Sequence, residues 1–188
     1  MANSDTPRGF WPVRHLTGGT IRQSTYTMAS GYATNIFSGD VVKLVAGGGI
    51  EAAAAGNRFV GVFAGVNYTD AGGKKQYSKY WPASTVATEI EAMVYDDPNV
   101  VFGVQSAGST VAADVGEIGD HVAGAGSTTT GQSAHELNGT TSNGTAGFRV
   151  LGRLPEPDNA YGTNVVLEVQ PYEHELNFHI DADGNPGV

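Results

Sequence analysis

Glycine, at 27 of 188 residues, constrains this chain more than any other feature. A glycine in a helix interior costs about 1 kcal/mol relative to alanine, and here glycine is spread along the whole length. No long block of Glu, Lys, Leu and Ala lies between the glycines. Their companions are Val, Thr and Tyr, which suit a pleated, half-buried surface. Such a chain is expected to be all-β: many short strands with tight turns, forming an antiparallel barrel or sandwich with at most one short helix.

Alternation places the strands. Residues 58–68 give the clearest one, with Val60, Val62, Ala64, Val66 and Tyr68 on one face and Phe59, Gly61, Phe63 and Gly65 on the other. Both faces are apolar, so this strand is expected to be central, with Gly61 and Gly65 leaving room for a close backbone approach or a bend. The turn cluster at 69–75 makes 59–80 a hairpin, and Ser38-Gly39-Asp40 reads as a turn into another strand. Residues 89–95, 100–104, 148–154 and 164–170 also read as strands, whereas only 110–118 has spacing suited to a helical turn or two. There is no βαβ rhythm and no internal repeat. The expected organisation is an N-terminal arm (1–19), a β-rich domain (20–176) with 106–147 as a candidate loop-rich insertion, and a polar tail (177–188).

Ten Lys and Arg face 19 Asp and Glu, a formal charge of −9. A surface so acidic is repelled by polyphosphate, so nucleic acid is not an expected partner. The absence of cysteine removes disulfides and thiolate chemistry. The first residues lack the apolar core of a signal peptide, and no run approaches the roughly 18–20 apolar residues of a membrane span, so no membrane partner is expected.

Motifs that carry chemistry fail on inspection. Gly126-Ser127-Thr128-Thr129-Thr130-Gly131-Gln132-Ser133 has phosphate-loop spacing, but Gln132 stands where the essential lysine belongs. Asp181-Ala182-Asp183-Gly184-Asn185 opens like a calcium loop, yet the acidic ligand that would close it is missing. Five histidines (His15, His121, His135, His174 and His179) show no zinc spacing. His174, between Glu173 and Glu175, is expected at a surface strand end with its charged form favoured. No G-x-S-x-G elbow occurs. No catalytic, cofactor or metal residue is therefore assigned, and an enzyme is not expected.

The aromatic pairs are the stronger signal. Phe10-Trp11-Pro12 and Tyr80-Trp81-Pro82 place large rings beside a proline, outside the best strand patterns, and such rings anchor interfaces. Phe10, Trp11, Pro12, Tyr80 and Trp81 are the candidate partner-binding residues. An arm carrying Phe10 and Trp11 is expected to reach a neighbour, and its removal (residues 1–14) to leave the fold intact.

The leader GFWPVRHLTGGTIR, the segments ASGYATNIFSGDVVKLVAGGGIEAAAAGNRFVGVFAGVNYTDAGG, YWPAST, YDDPNVVFGVQ and GAGSTTTGQS, and the closing FRVLGRLPEPDNAYGTNVVLEVQPYEHEL resemble virion structural proteins of tailed bacteriophages. The turn and strand pair SGDVVKL and NRFVGVFAGV is similar to that of head decoration proteins. The resemblance spans about Gly9 to Leu176 and carries no site residues. It implies a β-rich capsid decoration or cement protein on the outer capsid surface of the virion, assembled in the host cytoplasm. Its implied partners are the major capsid protein and further copies of itself, a trimer in particular. The alternatives are another virion part (head fibre, tail or connector protein), or a carbohydrate- or receptor-binding β-sandwich using Tyr80 and Trp81 as a sugar platform.

Overall fold

The computed structural model describes residues 3–139 and 147–176. In chain order the strands are β1 (Trp11–His15), β2 (Ser24–Tyr26), β3 (Ile36–Phe37), β4 (Val41–Leu44), β5 (Ile50–Ala52), β6 (Gly61–Asp70), β7 (Lys75–Ser78), β8 (Tyr80–Trp81) and β9 (Ala87–Tyr95). They continue as β10 (Val100–Gln105), β11 (Ser109–Thr110), β12 (Ile118–Gly119), β13 (His121–Val122), β14 (Glu136–Leu137), β15 (Phe148–Arg153), β16 (Gly162–Thr163) and β17 (Val166–Pro171). One 3₁₀ turn, Ala112–Asp114, sits inside the stretch with helical spacing, its start held by the Val111 N–H donating to Asp114 Oδ2 at 2.7 Å. No helix among the described residues is long and apolar enough to cross a membrane. The fold is all-β.

Two large antiparallel sheets dominate. The first runs β1-β10-β17-β15-β12; the second runs β2-β9-β6-β4-β5, with β7 also on β6. Among the described residues none of the sheets closes into a barrel. The second nonetheless curls until its ends meet at a single bridge, where the Ile50 N–H donates to the Thr27 carbonyl at 2.9 Å. β3 and β8 form a separate two-stranded ribbon.

β6 is central, as its two apolar faces require. Neighbouring residues on a strand point to opposite faces, and on β4 Val41 and Val42 enter different clusters. One cluster joins the two sheets through Val41 and Val62 on one side and Phe102, Val104, Val150, Leu167 and Val169 on the other. The second gathers Val42, Ile50, Phe63, Ala92 and Val94 of the curled sheet with Ile36 and Trp81 of the ribbon. The strict alternation expected for 58–68 is corrected in two places. Val60 precedes the β6 ladder and joins the second cluster, while Val62 joins the first. A register shift between Phe63 and Gly65 then puts Phe63 and Val66 in one cluster, because an extra residue inverts the period. Gly61 permits the expected close approach: a Cβ there would lie 2.2 Å from the Tyr95 carbonyl oxygen.

The separate N-terminal arm is also corrected. β1 is the edge strand of the first sheet, paired with β10, and an edge is where Pro12 can sit without leaving a ladder gap. Phe10 is 2% exposed and stacks on Phe148 at 4.4 Å, inside the inter-sheet cluster. Upstream, the Gln105 side chain binds the backbone of both Ser4 and Thr6, and Asn3 exchanges hydrogen bonds with Ala160. Removing residues 1–14 would strip an edge strand and a core ring, so the fold is not expected to survive it unchanged. The candidate insertion is likewise knit into the body: β12 pairs with β15, the Gly116 N–H donates to the Val150 carbonyl, and Leu137 is a core residue. The polar tail, with His179, Asp181 and Asp183, lies outside the described residues.

Candidate functional site

The five predicted partner residues do not form one surface. Phe10 and Trp81, at 2% and 0% exposure, belong to different core clusters. The Trp81 Nε1–H donates to the Tyr32 carbonyl at 3.2 Å, and its ring meets the edge of Tyr68 at 5.6 Å. Both residues are therefore corrected from partner contacts to core plugs, and Trp81 cannot form a sugar platform. Trp11, Pro12 and Tyr80 stay half-buried. Trp11 lies over Gly103, where a Cβ would come 2.4 Å from its ring, and the Arg8 guanidinium covers the ring at 3.8 Å. Tyr80 stacks on Phe37 at 5.4 Å.

The most chemically suggestive cluster surrounds the Ser38-Gly39-Asp40 turn. Gly39, with φ +102, accepts the Phe10 N–H on its carbonyl and donates its own N–H to the Phe63 carbonyl. Asp40 Oδ2 accepts the Phe37 N–H at 2.8 Å, while Oδ1 faces His135 Nε2 at 3.3 Å. His135 stacks on His121, whose Nε2 donates to the Ala53 carbonyl at 3.0 Å. Burial pushes the Asp40 carboxyl up to about 6, against hydrogen bonds from Ser133 and Phe37 that pull it down. Burial, with His121 beside it, drives His135 down to about 4, and burial also lowers His121.

Ser133, Asp40 and His135 are the three residue types of a hydrolytic triad, in the wrong order. The Ser133 hydroxyl binds the carboxylate, whereas a nucleophile must pass its proton to the imidazole. At 2%, 4% and 5% exposure the three are also almost closed to solvent. They hold a junction together: the Gln132 amide donates to the Arg8 carbonyl, and a Cβ on Gly9 (φ +75) would lie 2.4 Å from Ser133 Cβ. The segment with phosphate-loop spacing is thus a turn packed on the N-terminal segment, with Gly126 against the Phe37 ring.

A second polar network closes the far end of the inter-sheet core. His174 is 1% exposed, edge-on to Phe59, and driven down to about 4 by burial. The expectation of a charged surface histidine is corrected, because desolvation outweighs the nearby carboxylates. Its Nδ1 accepts the Leu176 N–H, and Glu175 accepts the Leu44 N–H. At another edge, His15 Nδ1 accepts the Thr17 and Gly19 N–H groups, so Nε2 carries the proton that meets Asp97 at 3.1 Å. Among the described residues no group of three or more His, Asp or Glu is placed to hold a metal ion.

One open feature escaped the reading of the sequence. A groove of about 850 Å³ runs along β9, β6 and β7, lined by Asn67, Tyr77, Glu89 and Glu91 among others. Tyr77 is 61% exposed, and Asn67 pairs with Tyr77 on one side and Glu91 on the other. Directly paired residues share a face, so these three side chains form one row. The available signal was Tyr77 itself, an aromatic residue amid polar ones on the return strand of the predicted hairpin. No family model, curated protein or solved structure matches the chain.

Proposed function

We propose that this chain is a structural component of a tailed-phage virion, a head decoration protein that binds the outer surface of the capsid lattice. The observation that carries the reading is where the resembling segments fall. GFWPVRHLTGGTIR supplies Phe10 and β1, SGDVVKL the Asp40 turn and β4, NRFVGVFAGV the approach to β6 and its first half, and the closing segment β15 to β17. They are framework segments, which is what a shared scaffold requires. The buried polar groups around Asp40 and His174 join chain segments and offer no reactive group to solvent. A body of this kind suits a protein whose work is to add contact area across lattice seams, where many weak, equivalent contacts act together.

In this reading Trp11, Pro12 and Tyr80 are the surface members of the aromatic pairs, and the acidic surface faces away from packaged DNA. The test is to add the purified chain to mature phage heads that lack it and follow co-sedimentation. Saturation at a fixed ratio to the major capsid protein, with greater resistance of the heads to heat, is expected. Failure to co-sediment with heads, or incorporation far below a fixed ratio to the major capsid protein, as expected of a connector, would overturn it.

A further inference from the structure

We propose that the groove on β9, β6 and β7 is a binding site for a neutral oligosaccharide, a function separate from any lattice contact. Its volume of about 850 Å³ falls within the range of about 300–1,000 Å³ usual for small-ligand sites. Tyr77 is the platform. Its side chain is 61% exposed yet rests on the strand below it, because Gly65 has no side chain. A Cβ there would lie 3.1 Å from the Tyr77 hydroxyl and 3.3 Å from its ring. An exposed ring resting on backbone presents its free face at little entropic cost, which suits the C–H face of a pyranose.

The polar groups beside the ring complete the match. Asn67 and Glu91 share its cross-strand row, so an amide and a carboxylate stand next to the platform. Such planar groups can each meet two adjacent hydroxyls of a sugar. Glu89 lies further along the groove at φ +49, a backbone conformation a glutamate rarely adopts, with its carboxylate fixed by the Thr69 hydroxyl at 2.8 Å. Residues held in sparsely populated backbone regions concentrate at binding sites. The two glutamates outnumber Lys75 in the lining, so sulfated, phosphorylated or uronic ligands are disfavoured and a neutral glycan is favoured.

The experiment uses the full chain and five probes: maltohexaose, cellohexaose, chitohexaose, mannohexaose and xylohexaose, titrated calorimetrically. Saturable binding of at least one is expected. Tyr77→Ala should weaken it by about tenfold, the worth of one stacked ring, while Tyr77→Phe keeps most of it. Glu91→Gln should also weaken it, and unchanged circular dichroism of each variant will show that the fold is retained. Binding of none of the five, or equal binding by native chain, Tyr77→Ala and Glu91→Gln, overturns the proposal. Shell binding is read by sedimentation without sugar, so failure here leaves the decoration reading standing.

Discussion

The two aromatic pairs look like twins in the sequence and fold as mirror images. In Phe10-Trp11 the first ring is buried and the second half-exposed; in Tyr80-Trp81 the order is reversed. Adjacent residues of an extended chain point to opposite faces, so neither pair could have offered two rings to one partner. The pairs differ in what their buried rings seal. Trp81 arrives on the ribbon that follows the β6–β7 hairpin and fills the curled sheet. Phe10 sits immediately before β1 and plugs the inter-sheet core, held by a turn that carries a buried acid. Both closures are non-local, Trp81 reaching Ile36 and Tyr32 as Phe10 reaches Gly39 and Phe148. Only the inter-sheet closure also depends on a buried acid and histidine.

The largest expected effect follows from the plugs. Trp81→Ala should cost toward the top of about 3–5 kcal/mol, since it leaves a large cavity and removes one of the two N–H groups on the Tyr32 carbonyl, that of Ser84 remaining. Phe10→Ala should fall toward the bottom of that range, because a phenylalanine ring leaves a smaller cavity than an indole. Guanidinium denaturation monitored by circular dichroism measures both. If Phe10→Ala cost as little as an exposed substitution, the inter-sheet core would not need its plug.

The reach of these closures also explains what could be read from the sequence. The all-β class, the central β6, the 59–80 hairpin and the role of Gly61 follow from alternation and turn chemistry, which are local. The burial of Phe10 does not, because it depends on Gly39 and Phe148, 29 and 138 positions away. His174 misled for the same reason: its neighbours Glu173 and Glu175 are visible in sequence, but Phe59, which desolvates it, is not. The Tyr77 groove needed three strands in register before its row existed.

The second effect is acid sensitivity, and it should discriminate between the cores. His121, His135 and His174 all pack on the inter-sheet side, against Ala53, Asp40 and Phe59. His135 and His174 titrate near 4 in the fold and near 6.5 unfolded, so the unfolded chain binds more protons between those values. Stability is therefore complete above pH 6.5 and falls as pH drops toward 4, by on the order of 3 kcal/mol per histidine. Asp40 acts in the opposite direction. Its folded value near 6 exceeds its unfolded 3.8, so its buried charge costs stability above pH 6, and acidification relieves that cost. Asp40→Asn should raise stability at pH 7 and steepen the loss below pH 6. Hydrogen exchange at pH 4.5 should show residues 8–10, 132–137 and 172–176 opening before β6 and β9. Simultaneous opening of both regions would mean that the cores are not energetically distinct.

The smallest effect concerns the outward rings, and it isolates the comparison most cleanly. Trp11→Ala removes a ring that rests on Gly103 under the Arg8 guanidinium, a contact worth about 0.5–1 kcal/mol. The chain has only two tryptophans, so each can be observed alone. Trp11→Phe leaves Trp81, fully buried, whose emission should be blue-shifted and resistant to iodide. Trp81→Phe leaves Trp11, whose emission should be red-shifted and readily quenched. Equal quenching of the two variants would refute the inward and outward assignment on which both cores rest.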